Sequence, residues 1–150
     1  MVELKKRIYM QYNVELIPYY DDFARTLDWY KDEELCMQID GTPDPYNMER
    51  LQKMYRYLCK NGDCWYVTAN GEPVGDITLL NTGEIAIAIC KEYQNMHIGR
   101  EALEIVLQKA KQKGFKEVFA KIYAFNIRSK IVFEAMGFSH KNGEIYLRAI

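Results

Sequence analysis

The chain has 150 residues, 49% of them apolar and 27% charged, with a formal net charge of −1. These figures fit one soluble globular domain with a substantial core, and the near-neutral charge argues against a general nucleic-acid binder. The N-terminus shows no signal-like apolar run, and nowhere do about 18 apolar residues follow one another, so neither secretion nor membrane insertion is expected.

In chain order, Leu4–Leu16 is rich in Ile, Val and Tyr and is expected to hold the first strand. After Pro18, Phe23, Leu27 and Tyr30 recur at helical spacing, and Lys31–Gln38 reads as a short further turn. Gly41-Thr42-Pro43-Asp44-Pro45 is a loop by its breakers. Asn47–Lys60 is an amphipathic helix, with Asn61-Gly62 expected as its C-terminal stop. Three strands follow, Cys64–Ala69, Val74–Leu80 and Glu84–Cys90, joined by an Asn70-Gly71 hairpin and an Asn81-Thr82-Gly83 turn into an antiparallel meander. Ile98–Lys113 is the next helix, ended by Gly114. Phe115–Ile122 is then a strand, expected parallel to Glu84–Cys90 through a right-handed crossover. A helix over Asn126–Met136 and a strand over Glu144–Arg148 close the chain. The fold class is α/β of the α+β type, a mixed and mostly antiparallel sheet with helices on its faces.

Charge is distributed unevenly. From Glu15 to Glu49 there are ten acids against two bases, a net of −8, and from Lys91 to Lys130 nine bases against four acids, a net of +5. A protein that binds a polyanion at one place and a cation at another has this pattern, and so do two solvated helical faces of opposite sign. The four cysteines, Cys36, Cys59, Cys64 and Cys90, form no C-x-x-C pair, and the only histidines are His97 and His140. No metal site is expected, and a reduced cytoplasmic protein is the better reading.

The chemistry concentrates in Ile85–Arg100. Isoleucine at every second place from Ile85 to Ile89 marks a strand buried on both faces, and it runs through a polar turn into the helix at Ile98. A strand–turn–helix of this kind aims unpaired backbone N–H groups and a helix dipole at one point, which binds phosphate. Where the parallel strand pair splays, an extended thioester arm can lie against the backbone of Ile87 and Ile89. A backbone N–H there can also stabilise an oxyanion.

Two segments carry a resemblance. Gln94-Asn95-Met96-His97-Ile98-Gly99 resembles the pyrophosphate motif R/Q-x-x-G-x-G/A of the GNAT superfamily of N-acetyltransferases. Asn126–Phe138, NIRSKIVFEAMGF, is similar to that family's N-x-x-[AS]-x-x-x-Y-x-x-x-G-F helix. The resemblance covers Ile85–Phe138, and WYKDEEL in the first half resembles the helical acceptor region of such enzymes. It implies a GNAT-like sheet of about seven strands flanked by about four helices. It also implies acetyl-CoA as cosubstrate and an amine as acceptor. By position, it gives the pantetheine arm to Ile87 and Ile89, and the pyrophosphate to Gln94, Asn95, Met96, His97, Ile98, Gly99 and Arg100. Asn126 would contact the arm, Ser129 would line its channel, and Phe133 stands at its wall.

Two positions depart from the family pattern. His97 replaces the first glycine of the phosphate motif; it can still offer its N–H if its φ is helical, and its ring either faces phosphate or has no role. Phe133 stands where the family often has the Tyr that protonates the leaving thiolate, so the thiolate leaves unassisted or takes a proton from water. Tyr93 and Tyr123 are alternative donors. For the base that deprotonates the ammonium, Glu84 is the first candidate and Asp76 the second, each against the reading of a strand-end surface carboxylate. Cys90 reads as a packing residue. The expected activity is acetyl transfer to a primary amine, cationic if the acidic Glu15–Glu49 region walls the acceptor site. The alternative is a catalytically weak acyl-CoA-binding regulatory module. A homodimer is left open.

Overall fold

A computed structural model of the protein describes residues 11–150. The first expected strand begins outside them; within them it is β1, Val14–Pro18. Three helices follow: α1, Phe23–Trp29; α2, Glu33–Asp40; and α3, Met48–Asn61. The segment expected as a short turn is therefore a helix. Asp32 caps it by accepting from the N–H of Leu35, Glu33 and Glu34 occupy its first turn, and Gly41 ends it in the left-handed region at φ 73°.

The meander is present as β2, Gly62–Ala69, β3, Glu72–Leu80, and β4, Ile85–Ile89. Its first turn has positive φ at both Asn70 (51°) and Gly71 (85°), the hand that matches strand twist. Gly62 ends α3 as its C-cap, though not in the left-handed conformation usual for such a glycine. It is extended and already part of β2, and a Cβ there would lie 2.4 Å from the Leu79 carbonyl oxygen. This glycine serves close approach of two backbones rather than a left-handed stop.

Helix α4 spans Ile98–Gln112, β5 Glu117–Lys121, α5 Ile127–Ala135, β6 Ser139–Asn142 and β7 Ile145–Ala149. The seven strands form two antiparallel sheets, ordered β1-β2-β3-β4 and β5-β7-β6. The expected parallel pairing of the third meander strand with β5 is confined to one bridge, Glu84 with Phe119. Beyond it β4 and β5 part. Among the described residues there are five α-helices, α2 being the one not expected, and none is long and apolar enough to cross a membrane.

Two apolar cores lie on opposite faces of the first sheet. One joins Ile77, Leu79 and Ile85 to Ile98, Ala102, Val106 and Ala110 of α4 and to Val118 and Ala120 of β5. The other packs Trp29, Tyr30, Leu35, Tyr55 and Leu58 of the first three helices against Cys64, Tyr66 and Ala88. Strand alternation divides β4 between them: its isoleucines face α4, and Ala88 faces the first three helices. The gap between β4 and β5 is thus open to two different layers.

Candidate active site

The free edge of β4 follows from the ladder. Cys90 donates its N–H to Val74 and the Glu84 carbonyl accepts from Leu80, so the even positions of β4 bond to β3. The Gly83 carbonyl accepts from Phe119 across the gap, so the odd positions point the other way. Ile87 and Ile89 accordingly turn their backbone groups into the splay. The Ile89 carbonyl is already taken, by Gln94 Nε2 at 2.9 Å. This leaves Ile87, with the Ile89 N–H, as the strand edge available to an extended arm.

After a 3₁₀ turn at Lys91–Tyr93 the chain reaches α4 through two left-handed residues, Asn95 (φ 61°) and His97 (φ 62°). The right-handed helical φ under which His97 would offer its N–H is not adopted. His97 is the N-cap, and the glycine usual there serves backbone conformation as well as clearance. The first backbone bond of α4 runs from the Glu101 N–H to the His97 carbonyl at 3.1 Å, which leaves the N–H groups of Ile98, Gly99 and Arg100 ahead of it at the helix mouth. Gly99 has no positive φ, and a Cβ on it would meet only Ile87 and Ile89 side chains at 3.7 Å. Neither conformation nor packing requires glycine there, which is consistent with a bare helix mouth kept for a ligand. Left-handed backbone disfavours a residue with a Cβ, so His97→Gly is expected to stabilise the fold by about 0.5–1 kcal/mol. Chemical denaturation measures this; unchanged stability would mean that the imidazole makes an offsetting contact.

From α5, Asn126 caps its own helix by accepting from the Ser129 N–H at 3.2 Å, so the N-x-x-S spacing has a structural function. Arg128, which the sequence reading missed, donates to Gln94 Oε1 at 3.3 Å and ties α5 to the turn that leads into α4. Phe133 is 5% exposed and packs edge-to-face on Phe138.

These residues line one cavity of about 500 Å³ in the splay. Of the expected cofactor residues, Ile87, Ile89, Gln94, Asn95, His97, Gly99, Arg100, Asn126, Ser129 and Phe133 reach it. Met96 and Ile98 do not: Met96 leans on the core and Ile98 is buried in it. The face toward the first three helices is formed by Ala86 and Ala88, with Glu84 at the closed end, Lys121 and Tyr123 from the β5 side, and Gln38, Ile39 and Glu144. Gln38 and Ile39 lie far in sequence from Glu144, and none of the three carries a motif that could have flagged it. Lys121 Nζ is 3.9 Å from the Glu84 carboxylate.

Asp76, the second candidate base, does not reach the cavity. It lies behind Ala88, its partner in the ladder, and is buried, accepting hydroxyl bonds from Tyr30 at 2.7 Å and Tyr55 at 2.8 Å. Burial pushes its carboxyl up to about 6, against the lowering effect of the two hydroxyls. The fold therefore favours the protonated form. That contribution is complete below the ordinary carboxylate range and is lost as pH rises through about 6. The wild type should lose stability relative to Asp76→Asn between about pH 4 and pH 7. Paired urea melts read this directly; a constant difference across the window would remove Asp76 as its source.

The family model for an acetyltransferase (GNAT) domain matches residues 13–139. No curated protein matches the sequence. Among solved structures, a domain from Methanocaldococcus jannaschii DSM 2661 superposes with a TM-score of 0.79 at 24% identity, over 93% of this chain and 100% of that one. An N-acetyltransferase from Staphylococcus aureus Mu50 gives 0.73 at 18% identity, over 91% and 98%. A spermidine N-acetyltransferase from Vibrio cholerae, solved with CoA and spermine, gives 0.74 at 13% identity, over 89% and 92%. The structural similarities establish the fold, and the family match spans most of the chain. The chain belongs to the acetyltransferase (GNAT) domain family, and its enzyme class is acyltransferase.

Proposed function

We propose that the protein moves an acetyl group from acetyl-CoA to a primary, cationic amine by direct attack in a ternary complex. The observation that carries this reading is the two-faced cavity between β4 and β5. Strand edge, helix mouth, Arg100 and Arg128 lie toward one end, and Glu84 with two small alanines lies on the other face. The pyrophosphate would meet the N-terminus of α4, and the pantetheine arm would pair with Ile87. The thioester carbonyl would then lie where a strand-edge N–H can bind the developing oxyanion. The amine enters over Ala86 and Ala88, loses its ammonium proton toward Glu84, and attacks. The C–N bond forms, the C–S bond breaks, and the electron pair leaves on sulfur. Phe133 has no proton to give, so CoA departs as thiolate and is protonated by solvent.

The acidic first-half helices favour a cationic acceptor, and the Vibrio cholerae relative was itself seen with spermine. Four cysteines without disulfides fit a reducing cytoplasm. Calorimetric titration with acetyl-CoA, followed by CoA release across a panel of amines, tests the proposal. Tight cofactor binding with no turnover of any amine would favour the second reading, a weakly catalytic acyl-CoA-binding module, which the missing proton donor at Phe133 supports.

A further inference from the structure

One end of the cavity combines several features that attract positive charge. Helix α2 finishes there: Gln38 and Ile39 of its last turn line the space, and that turn holds no basic residue. A helix C-terminus carries partial negative charge, and the cation beside it, Arg50, is already paired with Asp40 at 3.0 Å. The Tyr123 ring is pressed against the end of α2, where a Cβ on Gly41 would lie 3.0 Å from the ring. Tyr123 also stacks on Phe125, with centroids 5.6 Å apart and planes at 5°. Burial, the Glu144 carboxylate and Asp40 push the Tyr123 phenol up, so it stays neutral and offers its ring.

The carboxylates differ in how far they are already neutralised. Lys121 lies toward Glu84 at 3.9 Å, and Arg50 holds Asp40 at 3.0 Å. Glu144 lines the cavity and, among the described residues, has no ion pair. It stands beside Tyr123, its carbonyl accepting from the neighbouring Ile122 N–H at 2.8 Å. Glu84 is bridged to Phe119, and Tyr123 lies four residues farther on, roughly 13 Å at the rise of a strand. The two carboxylates therefore line the same cavity at separate places, Glu84 at the bridge and Glu144 beside Tyr123.

We infer that Glu144, Tyr123 and the C-terminal end of α2 form a cation subsite that holds the second positive group of an acceptor with two ammonium groups on an aliphatic chain. The reacting amine then lies near Glu84, and the chain crosses Ala86 and Ala88. This rests on the acetyl-transfer reading of the cavity and adds to it which acceptors are preferred and why.

The test compares straight-chain diaminoalkanes with alkylamines of equal length, titrated calorimetrically into CoA-loaded wild type and Glu144→Gln. Glu144 is exposed, so the amide variant should fold, and its thermal melt confirms that. The wild type is expected to bind the diamine about tenfold more tightly than the monoamine. Glu144→Gln should lose that advantage while binding the monoamine unchanged, and in turnover its KM for the diamine should rise with kcat nearly constant. Equal affinity for diamine and monoamine in the wild type, or a diamine advantage that survives Glu144→Gln, overturns the subsite. Selective diamine binding without CoA release from any amine would instead sink the transfer reading and sustain the subsite, so the two failures are distinguishable.

Discussion

Glu84→Gln is expected to lower kcat/KM about a hundredfold at neutral pH, with the loss shrinking as pH rises. Glu84 directly precedes β4 and is fixed by the parallel bridge to Phe119, the last point at which the two sheets touch. Its side chain shares the face of Ala86 and Ala88 and lines the cavity, about a quarter exposed at 22%. An amine acceptor arrives mostly as ammonium, since such groups titrate near pH 10, and it cannot attack until a proton is removed. A carboxylate held at the cavity end can take that proton directly or through water. Glutamine keeps the shape and removes the basicity. At high pH the free amine supplies itself, and variant and wild type should converge. The upper limb adds a second reading: Phe133 offers no proton, so the wild-type profile should rise to a plateau without a descending limb. A descending limb would bring Tyr123 back as an acid, and identical profiles for wild type and Glu84→Gln would remove Glu84 as the base.

Local chemistry made much of the fold legible. Asn70-Gly71 specified a hairpin turn because both positions need positive φ, and both have it. The alternation from Ile85 to Ile89 marked a strand, but the burial expected on both faces holds only for Ile85 and Ala88; Ala86, Ile87 and Ile89 are half-buried and line the cavity. What the sequence hid depends on long-range packing. Asp76 read as the second candidate base, or else a strand-end surface carboxylate, and is neither: Tyr30 and Tyr55, 46 and 21 positions away, close over it. Gly62 does follow the end of α3, as Asn-Gly signalled, but its lack of a side chain serves the Leu79 backbone across the sheet rather than a left-handed turn. Helix α2 had its capping signal in Asp32 and Gly41, but eight residues of mixed polarity gave a weak period. The part of the cavity lined by 85–100 and 126–133 comes from two contiguous segments and could be read from the chain. The rest of the lining joins Gln38, Glu84, Tyr123 and Glu144, which only the fold brings together.

Gly75→Ala is expected to cost about 3 kcal/mol of stability and to weaken CoA binding as well. Gly75 pairs with Ile89, and a Cβ on it would lie 2.3 Å from the Ala88 carbonyl oxygen and 3.0 Å from the Ile89 Cα. Those are backbone atoms, so no rotamer change relieves the contact. Either β3 or β4 must move. Strand β3 is held between β2 and β4 in the middle of the sheet, whereas the far edge of β4 is the open side of the splay. The strain should therefore displace β4 toward the cavity and shift the Ile87 and Ile89 groups that would receive the cofactor arm. Gly99→Ala is the matched comparison in the same site. Its Cβ would make ordinary 3.7 Å contacts with Ile87 and Ile89 side chains, and alanine suits a helix better than glycine does. It should melt no lower than the wild type. If Gly75→Ala melted like Gly99→Ala and bound CoA normally, β4 would have to be free to slide outward without consequence, and the strand edge would not be the element that positions the thioester.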